Sequence, residues 1–158
     1  MSKKAIQLIA ERGTTLIITV DCGIVSCEEV AFAREQGIDV IITDHHRCGE
    51  QLPSAVAVID PVKPGCHYPF SYLCGAGVAY KVTEALAEAI GLEGKPVEYL
   101  PIAAMATIGD SVSLTGENRN IVAVGMQHMS DSCWLGLNKL MNSAGVKAPV
   151  SVRNIAFG

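Results

Sequence analysis

The residues with the most chemical capacity are Asp21, the tripeptide Asp44-His45-His46, and Asp110. Carboxylate oxygen together with neutral imidazole nitrogen suits borderline divalent ions such as Mn2+, whereas carboxylates with water suit Mg2+. Each residue also has a plainer use. An aspartate after a strand is commonly a turn residue or a helix cap, and a histidine pair in a loop is commonly just solvated. The conjunction weighs more. Leu16-Ile17-Ile18-Thr19-Val20 stops on Asp21, and Ile41-Ile42-Thr43 stops on Asp44 and two imidazoles. Two apolar, β-branched runs that end on ligand-capable side chains point to a metal site at one edge of a sheet, with Asp110 as a third source of oxygen.

The elements that must position these groups follow from pattern. Lys3 to Arg12 carries apolar positions at helical spacing, and Gly13 is a suitable stop. A strand is predicted over 15–20. Ser26-Cys27-Glu28-Glu29 has the form of a capping box, which opens a helix over 27–36 closed by Gly37, and a second strand follows over 38–43. Strand, helix and strand together have the length of a βαβ unit with parallel strands and a right-handed crossover. In such sheets ligands collect outside the carboxyl ends of the strands, so Asp21 and Asp44-His45-His46 are expected to be neighbours.

A third strand is predicted over 55–60, and the three prolines between Pro61 and Tyr72 mark an irregular loop. The rest reads as mainly helical. Cys74-Gly75-Ala76-Gly77 opens a long helix stopped by Gly91, and a helix over 97–107 contains the stretch Leu100 to Ala106, apolar enough to be buried all round. Further helices are predicted over 117–129 and 134–142. Ser151 is read as the cap of a last element running toward Gly158. The fold class is therefore α/β: a parallel sheet flanked by helices, with a mainly helical second half.

Composition narrows the class. The chain has 158 residues, 49% apolar and 18% charged, which suits a single globular domain. No apolar run approaches the ~18 residues of a membrane span, and the opening Met1-Ser2-Lys3-Lys4 leads into a short amphipathic helix, not a signal peptide. Six cysteines without a Cys-x-x-Cys pair indicate free thiols in a reducing cytoplasm. A net charge of −4 argues against a broad basic surface gripping many phosphates, so nucleic acid would be held through a local groove or bound cations. Neither a Gly-x-Ser-x-Gly elbow nor a Gly-x-x-x-x-Gly-Lys loop is present. Gly75 and Gly77 before a helix can cradle a phosphate, and Arg119 can reach an anion, although helix packing and capping account for them equally well. His67 in the proline-rich loop and His128 near a helix end have ordinary surface explanations.

With Asp44-His45-His46 placed at a strand end, the chain resembles the DHH phosphoesterase superfamily, named after that tripeptide. Ile18-Thr19-Val20-Asp21-Cys22-Gly23 is similar to the family's second motif, and Ala106 to Leu114, around Gly109-Asp110-Ser111, is similar to its fourth. The segment from Tyr68 to Lys81, with Cys74-Gly75-Ala76-Gly77 at its centre, resembles the RecJ branch, the single-strand-specific DNA exonucleases, and Glu117-Asn118-Arg119 fits that branch too. The resemblance implies that Asp21 bridges two metal ions with His45 and Asp110 as further ligands, that His46 contacts the scissile phosphate, and that Asp44 orients or polarises a histidine. It also implies two-metal hydrolysis with Mn2+ or Mg2+, acting on single-stranded DNA from the 5′ end in DNA repair and recombination.

Two departures bear on activity. The family's first motif, of Asp-x-Asp-Gly type, is missing, and no Asp-x-Asp occurs anywhere in the chain. The substrate-binding second domain of the family is expected beyond Gly158. Residues 1–158 thus resemble a partial DHH domain, expected to bind metal weakly, to show little activity alone, and to self-associate through apolar surface left exposed. Two other readings remain open. One is a DHH phosphodiesterase acting on cyclic dinucleotides, short oligonucleotides or pyrophosphate. The other is a non-catalytic DHH-fold module binding nucleic acid or a protein partner, against which the retention of Asp21, His45, His46 and Asp110 speaks.

Overall fold

The structure is a computed structural model that describes residues 1–92 and 96–157, so Gly158, the end of the last expected element, lies outside the described residues. Two compact units divide the chain at Ser71 and Tyr72.

The first unit begins with helix α1 (Lys3–Ala10), capped by the Ser2 hydroxyl, which accepts from the Ala5 amide at 3.3 Å. Strand β1 (Leu16–Val20), helix α2 (Cys27–Glu35) and strand β2 (Asp39–Thr43) follow, and strand β3 (Ala57–Ile59) completes a parallel sheet of order β1-β2-β3. Alternation decides which side chains are buried, because successive residues of a strand face opposite sides. Val40 and Ile42 of β2 pack with Ile6 of α1 and with Val30 and Ala33 of α2, and Ile17 and Val58 join from the neighbouring strands. Both helices therefore cover the same sheet face. On the opposite face, Leu16, Ile18 and Val20 of β1 remain exposed.

The predicted capping box at Ser26 is not formed: Ser26 precedes α2 but makes no side-chain cap bond. Glu28 instead pairs on the surface with Lys3 at 2.9 Å. Strand β3 is also shorter than the predicted 55–60, since only Ala57, Val58 and Ile59 have partners in the β2 register.

The second unit is helical. Helix α3 (Gly75–Ala89) leads to a 3-10 turn (Val97–Tyr99) and helix α4 (Leu100–Gly109), followed by α5 (Gly116–Gln127), α6 (Leu135–Ser143) and the short α7 (Val152–Phe157). No residue of α4 from Leu100 to Ile108 is exposed, as its continuous apolar run predicts. Asn118, fully buried near the start of α5, donates to the carbonyls of Tyr72 at 2.6 Å and Ser113 at 2.9 Å, fixing the loops that enter α3 and α5. Ser151 caps α7, its hydroxyl accepting from the Asn154 amide at 3.3 Å. No helix among the described residues is long and apolar enough to cross a membrane.

Candidate metal centre

Register places the carboxyl ends of all three strands in one row. Val20 pairs with Thr43 and Thr43 with Ile59, so the next residues, Asp21, Asp44 and Asp60, stand side by side across the sheet edge. The ladder continues one step further: the Asp21 amide donates to the Thr43 carbonyl and the Asp44 amide to the Ile59 carbonyl, each at 3.0 Å.

From that row the three acids diverge. Asp21 turns away with φ +61°, the left-handed region that aspartate tolerates better than most residues, and its side chain is exposed. The turn after it folds back tightly on β1. Thr19 Oγ1 donates to the Cys22 carbonyl at 2.7 Å, and Gly23, at φ +112°, lies so close that an added Cβ would meet Thr19 Oγ1 at 2.9 Å. Only glycine suits that position.

Asp44 is buried and accepts four hydrogen bonds. Its Oδ2 takes the Ile24 amide at 2.9 Å, clamping the turn after β1 to the end of β2. Its Oδ1 takes the His45 amide at 2.8 Å, the His46 amide at 3.3 Å and His46 Nδ1 at 2.7 Å. Burial pushes the Asp44 carboxyl up, but the Ile24 amide, the His46 ring and the two following amides outweigh it and hold the group below the usual aspartate range. Asp44 is thus an anionic anchor that sets the backbone and ring of His46 rather than a group facing solvent.

His45 Nε2 lies 3.0 Å from Asp21 Oδ1. The His45 and His46 rings are 4.4 Å apart between centroids. One ligand atom from each of Asp21, His45 and His46 falls within 4.8 Å of the others. That clustering suits a single divalent cation. It combines hard oxygen with imidazole nitrogen, the donor mixture suited to Mn2+, and its histidine orientation is already fixed from beneath by a carboxylate.

Asp60 stands outside the set read from the sequence, although the signal was available, since the third apolar run also stops on an acid. It is buried, with Oδ1 accepting from the Val62 amide at 2.8 Å and Oδ2 without a partner. Burial, with Asp44 adding to it, raises its carboxyl above the usual aspartate range against the downward pull of the Val62 amide, His45 and the Lys63 amide.

Apart from His67, the remaining sequence candidates belong to the second unit. Asp110 closes α4 as its C-terminal cap, and Ser111 after it adopts φ +57°. Gly75 and Gly77 are buried in the first turn of α3, where the Cys74 thiol caps the Gly77 amide at 3.3 Å. A Cβ at Gly77 would meet Leu73 Cδ2 at 3.2 Å, so close packing is sufficient reason for that glycine. Arg119 is exposed in the first turn of α5. His67 and His128 are exposed, and all six cysteines are free.

The sheet, the strand-end acids and the paired histidines define an α/β domain with a candidate metal centre, and residues 1–108 match the DHH family, N-terminal domain. The chain belongs to the DHH family. Within it, the chain is 45% identical over 144 residues to the single-stranded-DNA-specific exonuclease RecJ of Bacillus subtilis, a match covering 91% of this chain and 18% of that protein. Among solved structures it is similar to RecJ of Thermus thermophilus in complex with Mn2+, with a TM-score of 0.85 and 34% identity, over 99% of this chain and 23% of that one. A Mg2+ complex of RecJ from the same organism gives a TM-score of 0.66 with 29% identity, over 98% of this chain and 22% of that one. The chain thus spans less than a quarter of the length of these relatives.

Proposed function

We propose that this chain carries the greater part of the metal centre of a phosphodiesterase that degrades single-stranded DNA from the 5′ end. The observation that carries the reading is the convergence of Asp21, His45 and His46 at one sheet edge, with ligand atoms within 4.8 Å. Asp21 and His45 hold the cation. When bound, Mn2+ or Mg2+ supplies Lewis acidity, acidifying the attacking water and neutralising charge that develops on the phosphate. Asp44 fixes His46 through Nδ1, which leaves Nε2 to meet the scissile phosphate.

The relatives named RecJ exonuclease support the choice of single-stranded DNA over cyclic dinucleotides, short oligonucleotides or pyrophosphate. A role in DNA repair and recombination within the cytoplasm follows from that choice. Residues 1–158 act as a partial DHH domain. Because a two-metal site needs more carboxylates than these, and no Asp-x-Asp is present, the isolated chain binds metal weakly and has little activity.

The test has two parts. Free Mn2+ is followed by electron paramagnetic resonance during titration of the chain, where weak binding is expected and Asp21→Asn should reduce it at least tenfold. The chain is then fused behind a strand bearing Asp-x-Asp-Gly and given 5′-labelled single-stranded and duplex oligonucleotides and a cyclic dinucleotide. Mn2+-dependent release of mononucleotides from the single strand alone is expected. Inactivity of the fusion despite tight Mn2+ binding would favour the non-catalytic module.

A further inference from the structure

Asp60 has no part in the ligand set above, yet its surroundings are not those of a turn residue. The turn it caps is served by Oδ1, which accepts from the Val62 amide at 2.8 Å, with the Lys63 amide adding a weaker pull on the carboxyl. Asparagine or serine would do this as well, without a charge to bury. The second oxygen, Oδ2, is buried and has no hydrogen-bond partner, and the residue as a whole is 2% exposed. A carboxylate oxygen in that state costs stability, and such orphans in folded proteins mark an ordered water, an ion or a catalytic duty.

Its position narrows the choice. Asp60 follows Ile59, which pairs with Thr43, so it flanks Asp44 across the sheet edge, one strand further from Asp21. The Asp44 amide donates to the Ile59 carbonyl at 3.0 Å, so the residues that follow this bond on the two strands, His45 and Asp60, leave the sheet edge side by side. His45 Nε2 already faces Asp21 Oδ1, which makes that nitrogen the ion-side atom. Histidines that ligate metals are held through their second ring nitrogen by a carboxylate, a carbonyl or a water.

We propose that Asp60 is a positioning residue of the metal centre, its buried Oδ2 accepting a hydrogen bond from an ordered water that links it to His45. The inference rests on the metal-centre reading above. It makes Asp60 a retained structural cost: removal of its charge should leave the fold as stable or more so, while loosening the histidine that holds the cation.

Asp60→Asn tests this, because the side-chain carbonyl can keep the Val62 cap while an amide group replaces Oδ2. The intact chain and the variant are compared by thermal denaturation, by Mn2+ titration with electron paramagnetic resonance, and by long-range 1H–15N spectra of the histidine rings. The expected result is an unchanged or raised melting temperature, a roughly 10- to 100-fold loss of Mn2+ affinity, and a shift of the His45 ring nitrogens in the metal-free chain. Equal Mn2+ affinity and unmoved His45 signals would overturn the proposal and leave Asp60 a turn residue. Should Asp60→Asn unfold the chain, Asp60→Ser keeps the cap and gives the same two readouts. If the unsubstituted chain binds no Mn2+ at millimolar concentration, the metal-centre reading itself fails. If it binds and Asp60→Asn binds equally, only the role of Asp60 fails.

Discussion

Asp44 shows how much of this site rests on one side chain. Two loops converge on its carboxylate, through the Ile24 amide on one oxygen and the His45 and His46 amides with the His46 ring on the other. Hydrogen bonds to a buried charge are among the stronger ones, each worth about 1.5–3 kcal/mol. Asp44→Asn replaces one accepting oxygen by a donor and should cost about 2 kcal/mol at pH 7 by urea denaturation. The pH dependence has a definite sign. Since the folded carboxyl lies below the ordinary aspartate value of 3.8, its stabilisation is fully present above that value and is lost as pH falls through the folded pKa. The gap between the two proteins should therefore narrow in acid, and an equal gap at pH 7 and at pH 2 would contradict this account. The sequence reveals Asp44 by its place at the end of an apolar run. It does not reveal Ile24 as a partner, because that bond spans 20 residues and depends on a turn forced by Gly23.

At the scale of elements, periodicity and stop signals locate what local sequence controls. The βαβ unit, the irregular loop after β3 and the fully apolar α4 all follow from patterns within a few residues, and the structure has them at the expected places. The departures are tertiary. Ser26 lacks its cap bond, and β3 stops short because pairing with β2, not apolar character, sets its length. The close approach of α4 and α5 is equally hidden. Gly125 is buried in α5, and a Cβ there would lie 2.5 Å from Ala104 Cβ and closer still to the Leu100 carbonyl. A helix-interior glycine normally costs stability relative to alanine, so propensity alone predicts a gain for Gly125→Ala. The backbone of α4 cannot yield as a flexible side chain would. Gly125→Ala should therefore lower stability by about 1–3 kcal/mol, and a raised melting temperature in calorimetry would show that the helices separate without penalty.

For the molecule as a whole, the same sheet that brings the candidate metal ligands together leaves a surface without a partner among the described residues. Strand β1 pairs only with β2 among the described residues, so its outer edge has open backbone donors and acceptors. On the face away from α1 and α2, Leu16, Ile18 and Val20 are 46%, 55% and 52% exposed. An unpaired edge beside a strip of exposed apolar side chains is a template for further strand pairing. A net charge of only −4 offers modest repulsion between copies. We therefore expect the chain to self-associate with rising concentration through β1. Ile18→Lys places a charge at the centre of that strip, away from the packed face and from Asp21, so it should leave the fold and Mn2+ affinity unchanged. Sedimentation velocity should then show a concentration-dependent shift for the unsubstituted chain and a monomer for Ile18→Lys. A monomer in both would mean that the edge is protected by its twist. Association that persists in Ile18→Lys would move the contact to another surface.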